Sequence, residues 1–244
     1  MHDILPCLLF VPGMRPDRVA GALASGAALV CLDLEDSVPA DGKIAARTAA
    51  GLADLVALAD AGAAPRAVLI PMVEAAAEIE IVRGTLGSAP LIPLIETVRG
   101  LDAAADIARA AGVVAVMLGG ADLAAELGVV LAWEPLLLAR SRLVMACAAA
   151  GVAAIDVPWI DLDDDAGLRA EADRARTLGF TGKAAIHPKQ IAGIDAAFRP
   201  SPAEVAEAHA ALATFADAGG GAVRFRGRML EAPLMARYRR IVGT

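Results

Sequence analysis

Short apolar runs rich in branched residues recur along the chain, each followed by a longer alanine-rich stretch with helical periodicity. The runs predict strands at 7–11, 29–34, 67–73, 91–95, 113–118, 153–157 and 183–186. Near-continuous apolar runs of this kind suit parallel strands covered on both faces. Helices are predicted between them, at about 16–25, 43–61, 75–86, 101–111, 133–150 and 165–178. Gly26, Gly112, Gly151 and Gly179 follow four of these helices, where a glycine terminates the last turn. The repeating strand–helix order implies a parallel sheet with right-handed crossovers. At 244 residues a TIM (β/α)8-type barrel is favoured over an open doubly wound sheet. The barrel is expected over 1–198. The Pro-containing stretch 199–202 and the run Gly219-Gly220-Gly221 mark a C-terminal helical extension over 199–244, read as helix, loop and helix.

The polar residues collect where the predicted strands end: Pro12-Gly13, Asp33-Leu34-Glu35-Asp36, Glu74, Glu96-Thr97, Asp122, Asp156 and His187-Pro188. In a barrel that edge is the active-site face, although an open sheet also binds ligands there. Glu96 and Asp122 lie 26 residues apart at the ends of consecutive predicted strands. Two carboxylates with open positions for water and substrate oxygens suit Mg²⁺. Each also suits an ordinary place at a helix N-terminus. The Asp33–Asp36 cluster cannot all face solvent from a buried strand, so it reads either as an early loop or as a group orienting metal-bound water. Gly13 and Arg15 stand where a helix opens after the first strand, which reads either as a modest anion site or as an ordinary turn. His187 ends the last strand, as a structural hydrogen bonder or a ligand contact.

Composition narrows the choice. The chain is 57% hydrophobic, much of it alanine, and no stretch of about twenty residues is free of charges and helix breakers as a membrane span would be. The first residues lack a basic segment followed by an apolar one, so a cytoplasmic protein without a signal peptide is expected. Cys7, Cys31 and Cys147 are widely spaced in apolar contexts, as buried free thiols are. A net charge of −7 argues against nucleic acid as partner. Neither a P-loop, a nucleophile elbow, a two-histidine zinc helix nor a dinucleotide fingerprint is present.

Several segments, in order, resemble the HpcH/HpaI aldolase/citrate lyase family, which includes citrate lyase β-subunits and malyl-CoA lyases. They are Leu8-Leu9-Phe10-Val11-Pro12-Gly13 with Arg15-Pro16, Leu32-Asp33-Leu34-Glu35-Asp36-Ser37-Val38, and Ile92-Pro93-Leu94-Ile95-Glu96-Thr97. Gly119-Gly120-Ala121-Asp122-Leu123, Ala185-Ile186-His187-Pro188-Lys189-Gln190 and Gly227-Arg228-Met229-Leu230-Glu231-Ala232-Pro233 follow. The resemblance implies a barrel in which Glu96 and Asp122 bind Mg²⁺. It implies cleavage of a 3-hydroxyacyl-CoA thioester to an acyl-CoA and a 2-oxo acid. Glu96, Arg15, Gly13, Gly119, Gly120 and His187 would contact substrate, with Asp36 beside the metal site. Glu231, where the family usually carries aspartate, would be a base reaching a neighbouring subunit's site within a homo-oligomer, a trimer or its multiple.

The chain also departs from the family. Only 30 residues separate Asp36 from Ala67, too few for a helix, strand and helix, since one strand with its crossover takes roughly 30. The third βα unit, which in the family ends in an Arg-x-Asn motif, is therefore expected to be shortened or missing, leaving seven strands. Met72 stands where many relatives have lysine. Two rivals follow: a metal-dependent aldolase releasing pyruvate from a hydroxy-oxo acid without CoA, and a non-catalytic metal-binding regulatory or scaffold homologue.

Overall fold

In a computed structural model of the chain, residues 6–12, 16–33 and 67–243 are described. The chain divides into two compact units, Met1–Phe198 and Arg199–Thr244. The first unit holds β1 (Cys7–Pro12), α1 (Pro16–Leu23), β2 (Leu29–Asp33), β3 (Val68–Ile70), α2 (Ala76–Leu86) and β4 (Leu91–Ile95). It continues with α3 (Val98–Asp102), α4 (Ala104–Arg109), β5 (Ala115–Leu118), α5 (Gly120–Leu127), α6 (Trp133–Ala150) and β6 (Ala153–Asp156). Helix α7 (Asp165–Leu178), β7 (Gly182–Ala185), a 3-10 turn (Pro188–Gln190) and α8 (Ile191–Phe198) complete it.

The seven described strands of this unit are parallel and pair in the order β2-β1-β7-β6-β5-β4-β3, a nearly closed TIM-like barrel. Chain order runs around the wall, with the two edges, β2 and β3, consecutive in sequence. The residues between those edges, 34–66, lie outside the described set, and with them the expected helix at 43–61 and the proposed shortening of the third unit.

Alternation along the strands builds two apolar layers. Leu8, Ile92, Leu94, Ala115, Met117, Ala153, Ile155 and Ala184 form a cluster drawn from strands alone, which fills the barrel interior. The alternate residues, among them Leu9, Ile95, Val116, Leu118 and Ala154, pack with helix residues in the outer layer. Ile79 of α2, Ile107 of α4, Leu136 and Leu143 of α6 and Ile194 of α8 are fully buried there. Burying each such side chain stabilises by about 1.5–3 kcal/mol. Pro93 stands inside β4, a strand with neighbours on both sides. It offers no N–H, and the β4–β5 ladder is interrupted at that point, between a Leu91–Val113 bridge and the Leu94–Met117 pair.

The helices stop where the sequence places glycine. Gly128, Gly151 and Gly179 take left-handed conformations (φ 68°, 72° and 118°) at the ends of α5, α6 and α7. The helix expected at 101–111 is two short ones. Thr97 caps the first by accepting the Gly100 N–H, and the break falls at Ala103.

The second unit contains α9 (Pro202–Asp217), β8 (Val223–Phe225), β9 (Arg228–Leu230) and α10 (Ala232–Val242). A capping box between Ser201 and Glu204 starts α9. Its small core is Ala211, Leu230 and Met235, with Phe215, Phe225 and Tyr238 packed around it. The loop expected between the two helices is in part an antiparallel hairpin. Strands of three residues are too short for alternation to announce them.

Candidate functional site

Glu96 follows β4 by one residue. Ile92 and Leu94 point into the barrel, so alternation turns Glu96 to the same side, at the carboxyl mouth. It is 6% exposed. Two backbone features hold its carboxylate. The Met72 N–H donates to Oε1 at 2.8 Å. Met72 itself has φ 54°, a left-handed conformation that a side-chain-bearing residue rarely adopts. On the other side lies Gly119, whose N–H donates to the Ile95 carbonyl at 2.8 Å. A Cβ on Gly119 would overlap the Glu96 Cβ and stand 2.6 Å from Oε2. Residue 119 must therefore be glycine for Glu96 to lie as it does.

Asp122 rises from the first turn of α5, which starts immediately after Gly119 and the end of β5. Its side chain is exposed. Strands β4 and β5 are direct neighbours, paired Leu94–Met117 and Ile95–Leu118, so a nearly buried carboxylate and an open one occupy adjacent strand ends. Gly120 sets the helix close to the wall, since a Cβ there would meet Val157 Cγ1 at 2.7 Å and Leu131 Cδ1 at 2.9 Å. Hard carboxylate oxygens, one fixed by a backbone N–H and a glycine shelf and one free to reach, form a donor set that fits a magnesium-sized cation keeping several waters. Among the described residues no group of three or more histidine, cysteine or acidic side chains converges on one point.

The other expected residues fall differently. His187 is exposed, and its Nδ1 accepts the Lys189 N–H at 3.1 Å in a capping box with Gln190. Glu231 is exposed and is the N-cap residue of α10 in the second unit. Gly13, Arg15 and Asp36 lie outside the described residues. Glu74 lies near Arg99, 3.4 Å from its guanidinium.

Asp156 does not belong to the mouth. Ile155 points into the barrel, so Asp156 faces the helices and is fully buried. Arg140 Nε donates to its Oδ1 at 2.8 Å and Lys183 Nζ to its Oδ2 at 2.9 Å. Lys183 also reaches Glu171 at 2.7 Å, and Arg140 lies 3.6 Å from the same carboxylate. Two cations and two anions thus close a neutral ring between β6, β7, α6 and α7. The Arg140 guanidinium also stacks 4.5 Å from the Trp133 ring centroid. Sequence reading missed Lys183 and Arg140, which look like ordinary surface charges. It also missed the use of Gln190, which is buried. Its Oε1 accepts the Ile186 N–H at 2.9 Å, and its Nε2 donates to the Trp159 carbonyl at 2.7 Å. Gln190 thereby ties the loop after β6 to the end of β7.

Cys7 and Cys147 are buried free thiols. Burial pushes Cys7, with a smaller push from Asp195, and Cys147 each up to about 12. No helix among the described residues is long and apolar enough to cross a membrane.

Residues 50–188 match the family model described as HpcH/HpaI aldolase/citrate lyase. A (3S)-malyl-CoA thioesterase of Cereibacter sphaeroides is 34% identical over 256 positions, covering 92% of this chain and 88% of that protein. Because 92% of 244 residues is about 224, the alignment leaves about 32 positions without a counterpart in this chain. That is the size of one strand–helix unit. Human mitochondrial citramalyl-CoA lyase is 30% identical, with 96% and 84% covered. Among solved structures, CitE of Mycobacterium tuberculosis in complex with magnesium, acetoacetate and coenzyme A superposes with a TM-score of 0.85 at 33% identity. All of both chains is covered.

Proposed function

The chain belongs to the HpcH/HpaI aldolase/citrate lyase family, and from that premise we propose that it is a Mg²⁺-dependent carbon–carbon lyase. Its substrate is a 3-hydroxyacyl-CoA thioester of malyl, citramalyl or citryl type, cleaved to an acyl-CoA and a 2-oxo acid. The observation that carries the reading is Glu96. A carboxylate this buried, fixed by the Met72 N–H and a glycine shelf beside an open Asp122, is an arrangement that suits a cation. It occurs in a chain 33% identical to a protein solved with magnesium, acetoacetate and coenzyme A.

Glu96 and Asp122 would hold the metal. Bound there, Mg²⁺ supplies Lewis-acid polarisation of the oxygen that becomes the oxo-acid carbonyl. The protein's own groups do the rest. Glu231 accepts the hydroxyl proton. The electron pair left on the oxygen then forms the new carbonyl as the carbon–carbon bond breaks, the carbon–carbon pair passes into the thioester enolate, and the proton held on Glu231 returns to the enolate carbon to give the acyl-CoA. The Gly120 N–H at the start of α5, with Gly13, Arg15 and the His187 ring, would hold substrate oxygens, and Asp36 would serve beside the metal ligands. Catalysis in trans by Glu231 would require a homo-oligomer, a trimer or its multiple.

The test is a product assay. The protein is incubated with Mg²⁺ and malyl-, citramalyl- or citryl-CoA, and the 2-oxo acid is trapped as its phenylhydrazone. Free CoA with an intact hydroxy acid would instead mean thioester hydrolysis, the activity named for the Cereibacter relative. Pyruvate from a free hydroxy-oxo acid alone would make the protein an aldolase. Silence on every substrate with metal binding intact would leave a non-catalytic homologue.

A further inference from the structure

Charge is unevenly divided along the chain. Residues 199–244 carry seven arginines and no lysine against four carboxylates, a net +3 within a chain of −7. Part of that charge borders a cavity of about 200 Å³ in the second unit, lined by Glu207, Phe225, Arg226, Arg228, Leu230 and Tyr238. Two guanidiniums face one carboxylate there, and two half-buried aromatic rings form part of the wall.

The turn that places them is strained. Arg226 and Gly227 join β8 to β9 with φ 48° and 81°. Positive φ at both central positions of a two-residue hairpin favours Asn-Gly or Gly-Gly. An arginine in that first position carries a conformational penalty that a purely structural turn does not need. Its guanidinium lies 5.3 Å from the Phe225 ring centroid and 3.6 Å from the Glu207 carboxylate, a contact that is exposed and weak. Arg228 pairs directly with Phe225 across the ladder.

From this cavity, resting on the lyase reading for the identity of the ligand, we infer that the hairpin binds the phosphorylated nucleotide end of coenzyme A. Arg226 and Arg228 take its phosphates, and the rims of Phe225 and Tyr238 take the flat base. Arginine forks bind phosphate oxygens in pairs. Aromatic faces accept a base, and guanidinium–ring stacking leaves the cation oriented. A lone inorganic anion would use the arginines and have no use for the rings.

Calorimetric titration of the full-length protein with adenosine 3′,5′-bisphosphate, and separately with inorganic phosphate, tests this. The wild type should bind the bisphosphate at least tenfold more tightly than phosphate, more weakly as salt rises. Arg226→Asn should weaken it by about tenfold without lowering the melting temperature, because asparagine suits the left-handed turn. Arg228→Gln should weaken it similarly. Bisphosphate binding that is absent in the wild type, unchanged in both variants, or matched by phosphate alone would overturn the assignment. Failure of the lyase reading is separable: no 2-oxo acid released while bisphosphate binding still depends on Arg226 and Arg228 removes the reaction and leaves the site.

Discussion

Gly119→Ala places one methyl group directly against the Glu96 side chain. The added Cβ overlaps the Glu96 Cβ and stands 2.6 Å from Oε2. The backbone cannot back away freely, because the Gly119 N–H is bonded to the Ile95 carbonyl at 2.8 Å. Glu96 must therefore move. Overpacking of this kind costs about 1–3 kcal/mol. Losing the Met72 N–H bond to a nearly buried carboxylate is worth about as much again. A ligand displaced or misoriented in this way typically loses 10–100-fold in metal affinity. Mg²⁺ titration by calorimetry reads the affinity, and differential scanning calorimetry reads the stability. Gly179→Ala is the control. Its φ of 118° and a Cβ that would stand 2.8 Å from Val144 Cγ1 make it destabilising, yet it sits at the end of α7. Gly179→Ala should melt earlier and bind Mg²⁺ normally, whereas Gly119→Ala should melt earlier and bind Mg²⁺ weakly. Wild-type Mg²⁺ affinity in Gly119→Ala would refute the reasoning that the glycine shelf positions Glu96.

Other expectations follow from the same geometry. Met72→Gly keeps the N–H and removes the strain at φ 54°, so it should bind Mg²⁺ as before and gain about 1 kcal/mol of stability in urea denaturation. Lys183→Met leaves Glu171 and Asp156 to Arg140 alone, and should cost about 3–5 kcal/mol by the same measurement, since the ring is buried. Cys7 and Cys147 are protonated in the folded protein up to about pH 12, whereas an unfolded thiol ionises near 9. Stability is therefore unaffected by them below pH 9 and should fall as pH rises through 9 to 12. Neither thiol should react with a disulfide reagent at pH 8 until the protein unfolds.

Much of this architecture was visible in the sequence. The apolar runs located all seven of the described strands of the barrel wall because parallel strands are buried on both faces. Glu96 and Asp122 stood out because each follows one of those runs. Asp156 stood out for the same reason and was misleading. In Ala153-Ala154-Ile155-Asp156 nothing local fixes which residues face inward, and only the packing of Ile155 decides it. The buried ring around Asp156 escaped notice because its members are 12 to 43 residues apart and each is an unexceptional charge alone. The Met72 amide was invisible for a different reason, since a backbone direction leaves no trace in residue identity. Helices α5 and α8 were missed because each is eight residues long and begins at or close to a strand end, leaving little room for a period to show.

Titrating Mg²⁺ into the wild type, Glu96→Ala and Asp122→Ala decides whether these two carboxylates together hold one magnesium ion. One site per chain in the wild type, weakened by about tenfold or more in each variant without loss of fold by circular dichroism, is the result expected. Metal binding of wild-type strength in both variants would contradict it.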